Sequence, residues 1–283
     1  MELDEQSAGQ RVALVTGGSA GLGRVIAAKL LRHGYQVMIV GRDVEKLENA
    51  RDLLAKEYPA KDAQTTVFSL RCDLTNGEDV ACLMNDFTER FGRLDALVNC
   101  VGTSDRGLIE NLSAERLEQL LRQNVLTALL CCQASIPLLE KSGGAIVNIG
   151  SLASKVGARY IGGYAIAKHA LAGMTQQLRL ELKPRGIHVA LVSPGPIRRD
   201  DAGQRYSKSF DKNLPSQATA PGGGTNLKGL APERVADAVV RCIESRKPDI
   251  LLPGYLRLLI AIGHAFPRFG DWLLLKFTSV KED

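Results

Sequence analysis

Two kinds of hydrophobic segment alternate along the chain. Short, nearly uninterrupted apolar runs rich in Val, Ile and Leu occur at Val12–Thr16, Val37–Val40, Thr66–Leu70, Ala96–Val98, Ala145–Ile149, His188–Val192 and Ile250–Leu252. Between them lie longer stretches whose apolar residues recur at three- and four-residue steps: Gly21–Gly34, Val44–Tyr58, Asn76–Phe91, Ala114–Leu139, Tyr160–Lys183 and Pro232–Arg246. The first pattern is that of buried strands, the second that of amphipathic helices. Strands without polar alternation belong to a sheet covered on both faces. Strand–helix alternation with right-handed crossovers predicts an α/β fold: a single-domain, doubly wound parallel sheet of about seven strands. The domain spans residues 11–253, between a polar N-terminal tail (1–10) and an apolar, helical C-terminal extension (254–283).

Two stretches depart from this rhythm. Arg198–Lys228 is polar, contains Pro215 and Pro221, and holds the run Gly222-Gly223-Gly224. It is long for a loop in a compact domain, and such loops are functional or disordered. It follows the sixth strand, on the edge where ligands bind in a doubly wound sheet. We read residues 198–228 as a lid over that edge; the alternative is an insertion of no consequence. The C-terminal extension runs from Tyr255 through Phe266 to Phe269, Trp272, Leu273–Leu275 and Phe277. Three readings of it stay open. It covers a ligand pocket or meets a second subunit; it lies flat on a membrane, as amphipathic helices with Trp and Lys/Arg do; or it completes the core. Its longest apolar run, Leu258 to Phe266, falls short of the ~20 residues that span a bilayer.

Composition narrows the class. The chain has 283 residues, 45% of them hydrophobic, and 36 basic against 31 acidic residues. The charge is mixed rather than gathered in a basic stripe, so no nucleic-acid partner is expected. None of the six cysteines forms a C-x-x-C pair; reduced core thiols and a cytoplasmic setting are expected, membrane-associated if the tail lies on lipid. The N-terminus, Met1-Glu-Leu-Asp-Glu, lacks the basic start and apolar run of a signal peptide. His33, His169, His188 and His264 are scattered without ligand spacing, so no metal site is expected. His169 is expected to face away from its neighbour Lys168. No G-x-S-x-G elbow surrounds Ser151, which argues against a serine hydrolase.

Candidate chemistry begins where the first strand runs into Thr16-Gly17-Gly18-Ser19-Ala20-Gly21-Leu22-Gly23 and then a helix. Glycines there allow a tight turn and close approach of backbone to a diphosphate, and the helix N-terminus aims its free N–H groups at the anion. The spacing is G-x-x-x-G-x-G rather than G-x-G-x-x-G, but its place between first strand and first helix favours a dinucleotide. The second strand ends Val40-Gly41-Arg42-Asp43. A carboxylate at Gly41 would hold the ribose 2′-hydroxyl of NAD(H). Its absence, with a guanidinium at Arg42 suited to a phosphate, favours NADP(H). The plain alternative is a solvated Arg42 beside an Asp43 that caps the next helix.

Tyr164 and Lys168, in Tyr160-Ile-Gly-Gly-Tyr164-Ala-Ile-Ala-Lys168, share one helix face, about 6 Å apart along the axis. A nearby cation stabilises a phenolate, so the pair is a plausible tuned acid/base. Alone, such a pair is ordinarily a surface pair. Ser151, thirteen residues before Tyr164, follows a strand's carboxyl end, where catalytic groups collect in this architecture. Its hydroxyl could hold a substrate carbonyl; equally, it could be a turn residue.

With these residues in order, the chain resembles the short-chain dehydrogenases/reductases from Val12 to about Pro253, and a Rossmann-like sheet is implied. Thr16–Gly23 matches the family's T-G-x-x-x-G-x-G turn, and Asp73-Leu74-Thr75 resembles its adenine-contacting element. Asn99-Cys100-Val101-Gly102 stands where the family usually reads N-N-A-G, keeping the outer Asn and Gly. Asn124 matches the Asn of the long fourth helix, and Ser151, Tyr164 and Lys168 match the Ser…Tyr-x-x-x-Lys group. Pro194-Gly195, followed by Ile197, matches the element beside the nicotinamide; Arg199 departs from the family's usual Thr.

The resemblance implies that Tyr164 exchanges a proton with the substrate oxygen and that Ser151 orients the carbonyl. It also implies that Lys168 holds the nicotinamide ribose and lowers the Tyr164 pKa, while Asn124 holds a relay water. Gly17, Ser19, Gly21, Leu22, Gly23, Arg42, Asp73, Leu74, Asn99, Gly102, Pro194, Gly195 and Ile197 would bind the cofactor. The expected activity is NADP(H)-dependent interconversion of a ketone and a secondary alcohol. The apolar tail points to a hydrophobic substrate, and family resemblance to a homo-oligomer. A 3-oxoacyl thioester reductase and a catalytically silent nucleotide sensor are the rival expectations.

Overall fold

Every residue of Val12–Thr16 (β1) and of Ala145–Ile149 (β5) is buried, so neither strand has a solvent face. In the computed structural model, which describes residues 10–59, 66–198, 214, 225 and 227–278, they are joined by β2 (Gln36–Gly41), β3 (Val67–Arg71), β4 (Ala96–Asn99), β6 (His188–Pro194) and β7 (Asp249–Leu252). The seven strands are ordered β3-β2-β1-β4-β5-β6-β7, and all neighbouring pairs are parallel. The chain leaves β1 toward β2 and leaves β4 toward β5, on opposite sides. The loops therefore diverge between β1 and β4 and open a crevice at the strands' carboxyl ends.

Alternate residues of each strand feed two separate cores. Ala13, Val15, Val37 and Ile39 pack under α1 (Gly21–Arg32), α2 (Val44–Glu57) and α7 (Pro232–Glu244). Val12, Leu14, Met38 and Val40 pack under α3 (Gly77–Phe91), α5 (Thr127–Ser142) and α6 (Gly162–Leu182). The expected doubly wound α/β sheet of seven strands is what the molecule has.

Several boundaries differ for physical reasons. The stretch read as one helix from Ala114 is divided into α4 (Ala114–Leu121), a π-helical turn at Arg122–Leu126, and α5. Within that turn the Asn124 side-chain amide donates to Leu120 O at 2.9 Å, taking an acceptor of the helical ladder. The helix read from Tyr160 starts at Gly162, because Tyr160 has a φ of 64° and cannot be helical. The two ends of the stretch read as a lid meet where Ile197 bridges Leu230 and Arg198 N donates to Leu230 O at 2.8 Å. Most of that loop, including Arg199, lies outside the described residues.

The C-terminal extension forms a helical hairpin, α8 (Leu256–Ala265) and α9 (Pro267–Thr278). The helices touch at Gly263 and Gly270, where a Cβ on Gly270 would lie 2.7 Å from Gly263 O. No residue of α8 is buried, which overturns the reading that this tail completes the core. The hairpin is tied down at His264, whose Nε2 donates to Lys155 O at 2.8 Å.

Candidate active site

The start of α1 carries no side-chain cap, a condition shared with α6 and α7 but not with α2, α3 and α4. Asp43, Asn76 and Ser113 cap α2, α3 and α4 with side-chain oxygens. The residue before α1 is Ala20, which offers no side-chain cap, and the first turn carries no acid. Its N–H groups and dipole are therefore left to an anion. The turn before it is drawn tight: Gly17 has φ +68°, and a Cβ on Gly23 would sit 2.1 Å from Gly17 O. These observations fit a dinucleotide diphosphate, whose oxygens are acceptors only. Thr16 fastens the cradle to the next strand, its Oγ1 accepting from Cys100 N at 3.0 Å.

Beside the cradle, β2 ends at Gly41, where a Cβ would come within 3.4 Å of Ser19 Oγ. That places Gly41 beside the Ser19 hydroxyl, and Arg42 follows at the exposed rim. Asp43 turns away to α2, accepting from Lys46 N at 3.1 Å and pairing with Lys46 Nζ at 2.7 Å. Asp73 accepts from Thr75 N at 3.0 Å and Thr75 Oγ1 at 2.9 Å. Those bonds, with the charges of Arg42 and Arg122, hold its carboxyl below the usual range.

At the other end of the crevice, α6 carries Tyr164 and Lys168 under the ends of β4 and β5. Lys168 is buried, and its Nζ donates to Ile149 O at 3.0 Å. That nitrogen lies 5.8 Å from the centroid of the Tyr164 ring. Burial pulls the ammonium down to about 8, with the Cys100 sulfur opposing the shift. Asn124, fully buried, donates to Thr103 O at 3.0 Å as well as to Leu120 O. Its Oδ1 has no partner among the described residues. A Cβ on Gly102 would fall 2.7 Å from that oxygen and 3.3 Å from Lys168 Nζ. Glycine at 102 thus keeps clear the space onto which both polar groups open.

Ser151 heads a short 3-10 turn, Leu152–Ser154. Its Oγ accepts from Ala153 N at 3.1 Å, and its own N–H donates to Ser154 Oγ at 3.0 Å. The oxygen is therefore engaged and the hydroxyl hydrogen is left to donate. Ser154 thus fixes Ser151 through reciprocal capping bonds, with serine where the common capping-box pattern has Glu or Gln.

One cleft of about 2300 Å³ joins these parts. That is more than the ~300–1,000 Å³ of a single small-ligand site, so two ligands fit side by side. Gly17, Ser19, Gly21, Leu22, Gly23, Arg42, Asp73, Leu74 and Gly102 line it, as do Asn124, Ser151, Tyr164, Lys168, Pro194, Gly195 and Ile197. Asn99 does not. Its side chain is buried under the sheet, donating to Asn148 Oδ1 at 2.9 Å and to Cys132 Sγ at 3.3 Å. The structure thus does not bring the side chain of Asn99, expected among the cofactor residues, to the cleft. His169, expected to face away, reaches the cleft rim, with Nδ1 donating back to Ala165 O at 2.9 Å. The hairpin supplies an apolar wall from Leu256, Leu259, Ile260, Leu273 and Leu274. Among the described residues no group of three or more His, Cys, Asp or Glu side chains could hold a metal ion.

A nucleotide cradle at a strand-order reversal, with a tyrosine–lysine pair beside it, defines a class of dinucleotide-dependent oxidoreductases. Comparison with known proteins gives the family. A short chain dehydrogenase family model matches residues 11–209. A 3-oxoacyl-[acyl-carrier-protein] reductase of Mus musculus is 30% identical over 205 residues, 72% of this chain and 83% of that protein. Among solved structures, an alcohol dehydrogenase of Thermococcus sibiricus complexed with 5-hydroxy-NADP is 26% identical, with a TM-score of 0.68 over 86% of this chain and 95% of that one. An actinorhodin polyketide ketoreductase with NADPH is also 26% identical, with a TM-score of 0.75 over 87% and 97%. The chain belongs to the short-chain dehydrogenase/reductase family and is an oxidoreductase that interconverts a ketone and an alcohol.

Proposed function

We propose that this protein is an NADP(H)-dependent reductase of a hydrophobic ketone, running equally as a dehydrogenase of the matching secondary alcohol, with Tyr164 as the proton-transferring group. The observation that carries this reading is the buried Lys168 ammonium, 5.8 Å from the Tyr164 ring in the cleft that also holds the uncapped start of α1. Gly17, Ser19 and Gly21–Gly23 hold the diphosphate, and Arg42 with Ser19 receives a 2′-phosphate. The complexes of the related alcohol dehydrogenase with 5-hydroxy-NADP and of the ketoreductase with NADPH support the phosphorylated cofactor. NAD(H) is the lesser reading.

When bound, the nicotinamide supplies the hydride that reaches the carbonyl carbon. Ser151 donates its free hydroxyl hydrogen to the carbonyl oxygen and orients it. Tyr164 passes its phenolic proton to that oxygen. Lys168 holds the ribose hydroxyls, and its charge stabilises the phenolate left on Tyr164. Asn124 Oδ1, facing the space beside Lys168 Nζ, serves the return of the proton from solvent through water. The apolar wall of α8 and α9 favours a substrate with hydrophobic bulk.

A second reading, a 3-oxoacyl thioester reductase, draws on the likeness to the mouse enzyme. Cofactor consumption measured with NADPH and with NADH, against a panel of ketones and 3-oxoacyl thioesters, decides among these. The expected result is turnover of a hydrophobic ketone, with NADPH preferred at least about tenfold, as a bidentate phosphate contact provides. Preference for NADH would overturn the role given to Arg42. Tight NADPH binding with no turnover of any substrate would point instead to a nucleotide sensor.

A further inference from the structure

The α8–α9 hairpin has an outer surface that the cleft does not use. Among the described residues thirteen large hydrophobic side chains are exposed, and seven of them fall between Tyr255 and Leu275. The inner side of α9 is spoken for: Gly270 packs on Gly263, and Leu273 and Leu274 line the cleft. At about 100° per residue, Arg268, Phe269, Trp272, Leu275 and Lys276 fall together on the opposite arc of about 120°. All five are exposed. The Phe269 and Trp272 rings stack at 5.8 Å, and Lys276 Nζ lies 4.9 Å from the Trp272 ring centroid. No acid shares the arc; Asp271 lies off it and lines the cleft.

We propose that this face of α9 docks the protein on an anionic lipid surface. Stacked aromatics interleaved with cations suit the headgroup boundary, where rings bury their edges and ammonium and guanidinium groups meet phosphate. A second copy fits less well, because an antiparallel twofold contact centred on Trp272 would set the Arg268 of each copy against the Lys276 of the other, like charge on like. No helix of the described residues is long and apolar enough to cross a membrane, so α9 lies along the surface. The hairpin is then the partition between lipid and cleft, with Leu259, Ile260, Leu273 and Leu274 on the cleft side. A ketone dissolved in the bilayer would reach Tyr164 past this partition. That consequence rests on the hydrophobic substrate proposed above; the docking does not.

Trp272 is the only tryptophan in the chain, so its emission reports on this face alone. The full-length protein is mixed with vesicles of phosphatidylcholine, or of equal parts phosphatidylcholine and phosphatidylserine, and read by fluorescence and co-sedimentation. We expect a blue shift and sedimentation with the mixed vesicles. Binding to phosphatidylcholine alone, and binding of the double variant Arg268→Glu/Lys276→Glu to the mixed vesicles, should be weaker by about tenfold or more. That variant should keep the wild-type rate on a water-soluble ketone, since neither residue touches the cleft. An unshifted spectrum with protein left in the supernatant overturns the proposal. So does a blue shift that grows with protein concentration without vesicles, which assigns the face to a second copy. Lipid binding by a protein that reduces no carbonyl would leave the docking intact and sink the proposed reaction alone.

Discussion

Lys168 is the residue at which cost and function meet. A buried ammonium is unfavourable unless it is paired, and here it donates to one backbone carbonyl and lies over a phenol ring. The consequence for stability has a definite sign. In the unfolded chain this lysine keeps its proton to about 10.5, the ordinary value; in the fold it gives it up at about 8. Between those values the unfolded state binds more protons, so this group makes stability rise with pH there, while its full penalty applies below about 8. Cofactor binding has the opposite trend, because the ribose hydroxyls accept from the ammonium. The dissociation constant of NADPH, followed by titration from pH 6 to 10, is expected to rise above about 8, by up to about tenfold per pH unit. An affinity unchanged across that range would remove Lys168 from the ribose site.

At the same scale, legibility was uneven. Ser151, Tyr164 and Lys168 could be read because two sit one helical turn apart and the third follows a strand end. The side that Asn99 takes was not legible. In a strand buried on both faces, apolar neighbours do not reveal which side a polar residue takes, and this one turned inward to Asn148. The Asn124 turn was hidden too, since no periodicity shows that the side-chain amide takes Leu120 O from the helical ladder and also reaches Thr103 O, twenty-one residues away in sequence.

At the scale of elements, the first helix does most to define the ligand. Its N-terminus has neither a side-chain cap nor an acid in its first turn, and the glycine turn holds that terminus against β1. Gly23→Ala would drive a methyl group onto Gly17 O, a backbone atom that cannot swing aside. The expected outcome is loss of NADPH binding by at least about a hundredfold, as misplacement by an ångström costs at such sites. Isothermal calorimetry, with circular dichroism to establish that the sheet persists, would read it. Binding within a few-fold of wild type would show that the close contact is not needed. The helix periods were legible because each amphipathic face meets one of the two cores. The C-terminal hairpin was only half legible. Its apolar content was plain, but the Gly263–Gly270 contact that folds it back is a backbone approach with no hydrophobic signature.

At the scale of the molecule, the strand order puts the two halves of the chemistry together. The cradle stands at the end of β1, the tyrosine and lysine beside β4 and β5, and the order reverses between β1 and β4. A sequence pattern announces parallel strands but not their order, and it is the order that makes one cleft out of distant segments. The central claim is that Tyr164 moves the proton in that cleft while other residues hold the cofactor. Tyr164→Phe removes one hydroxyl and leaves the ring beside Lys168. NADPH affinity and turnover of the best ketone should therefore be measured on this variant together. The expected result is a fall in kcat of about 10²–10⁴-fold with the NADPH dissociation constant within a few-fold of wild type; a variant that keeps substantial turnover would contradict the assignment.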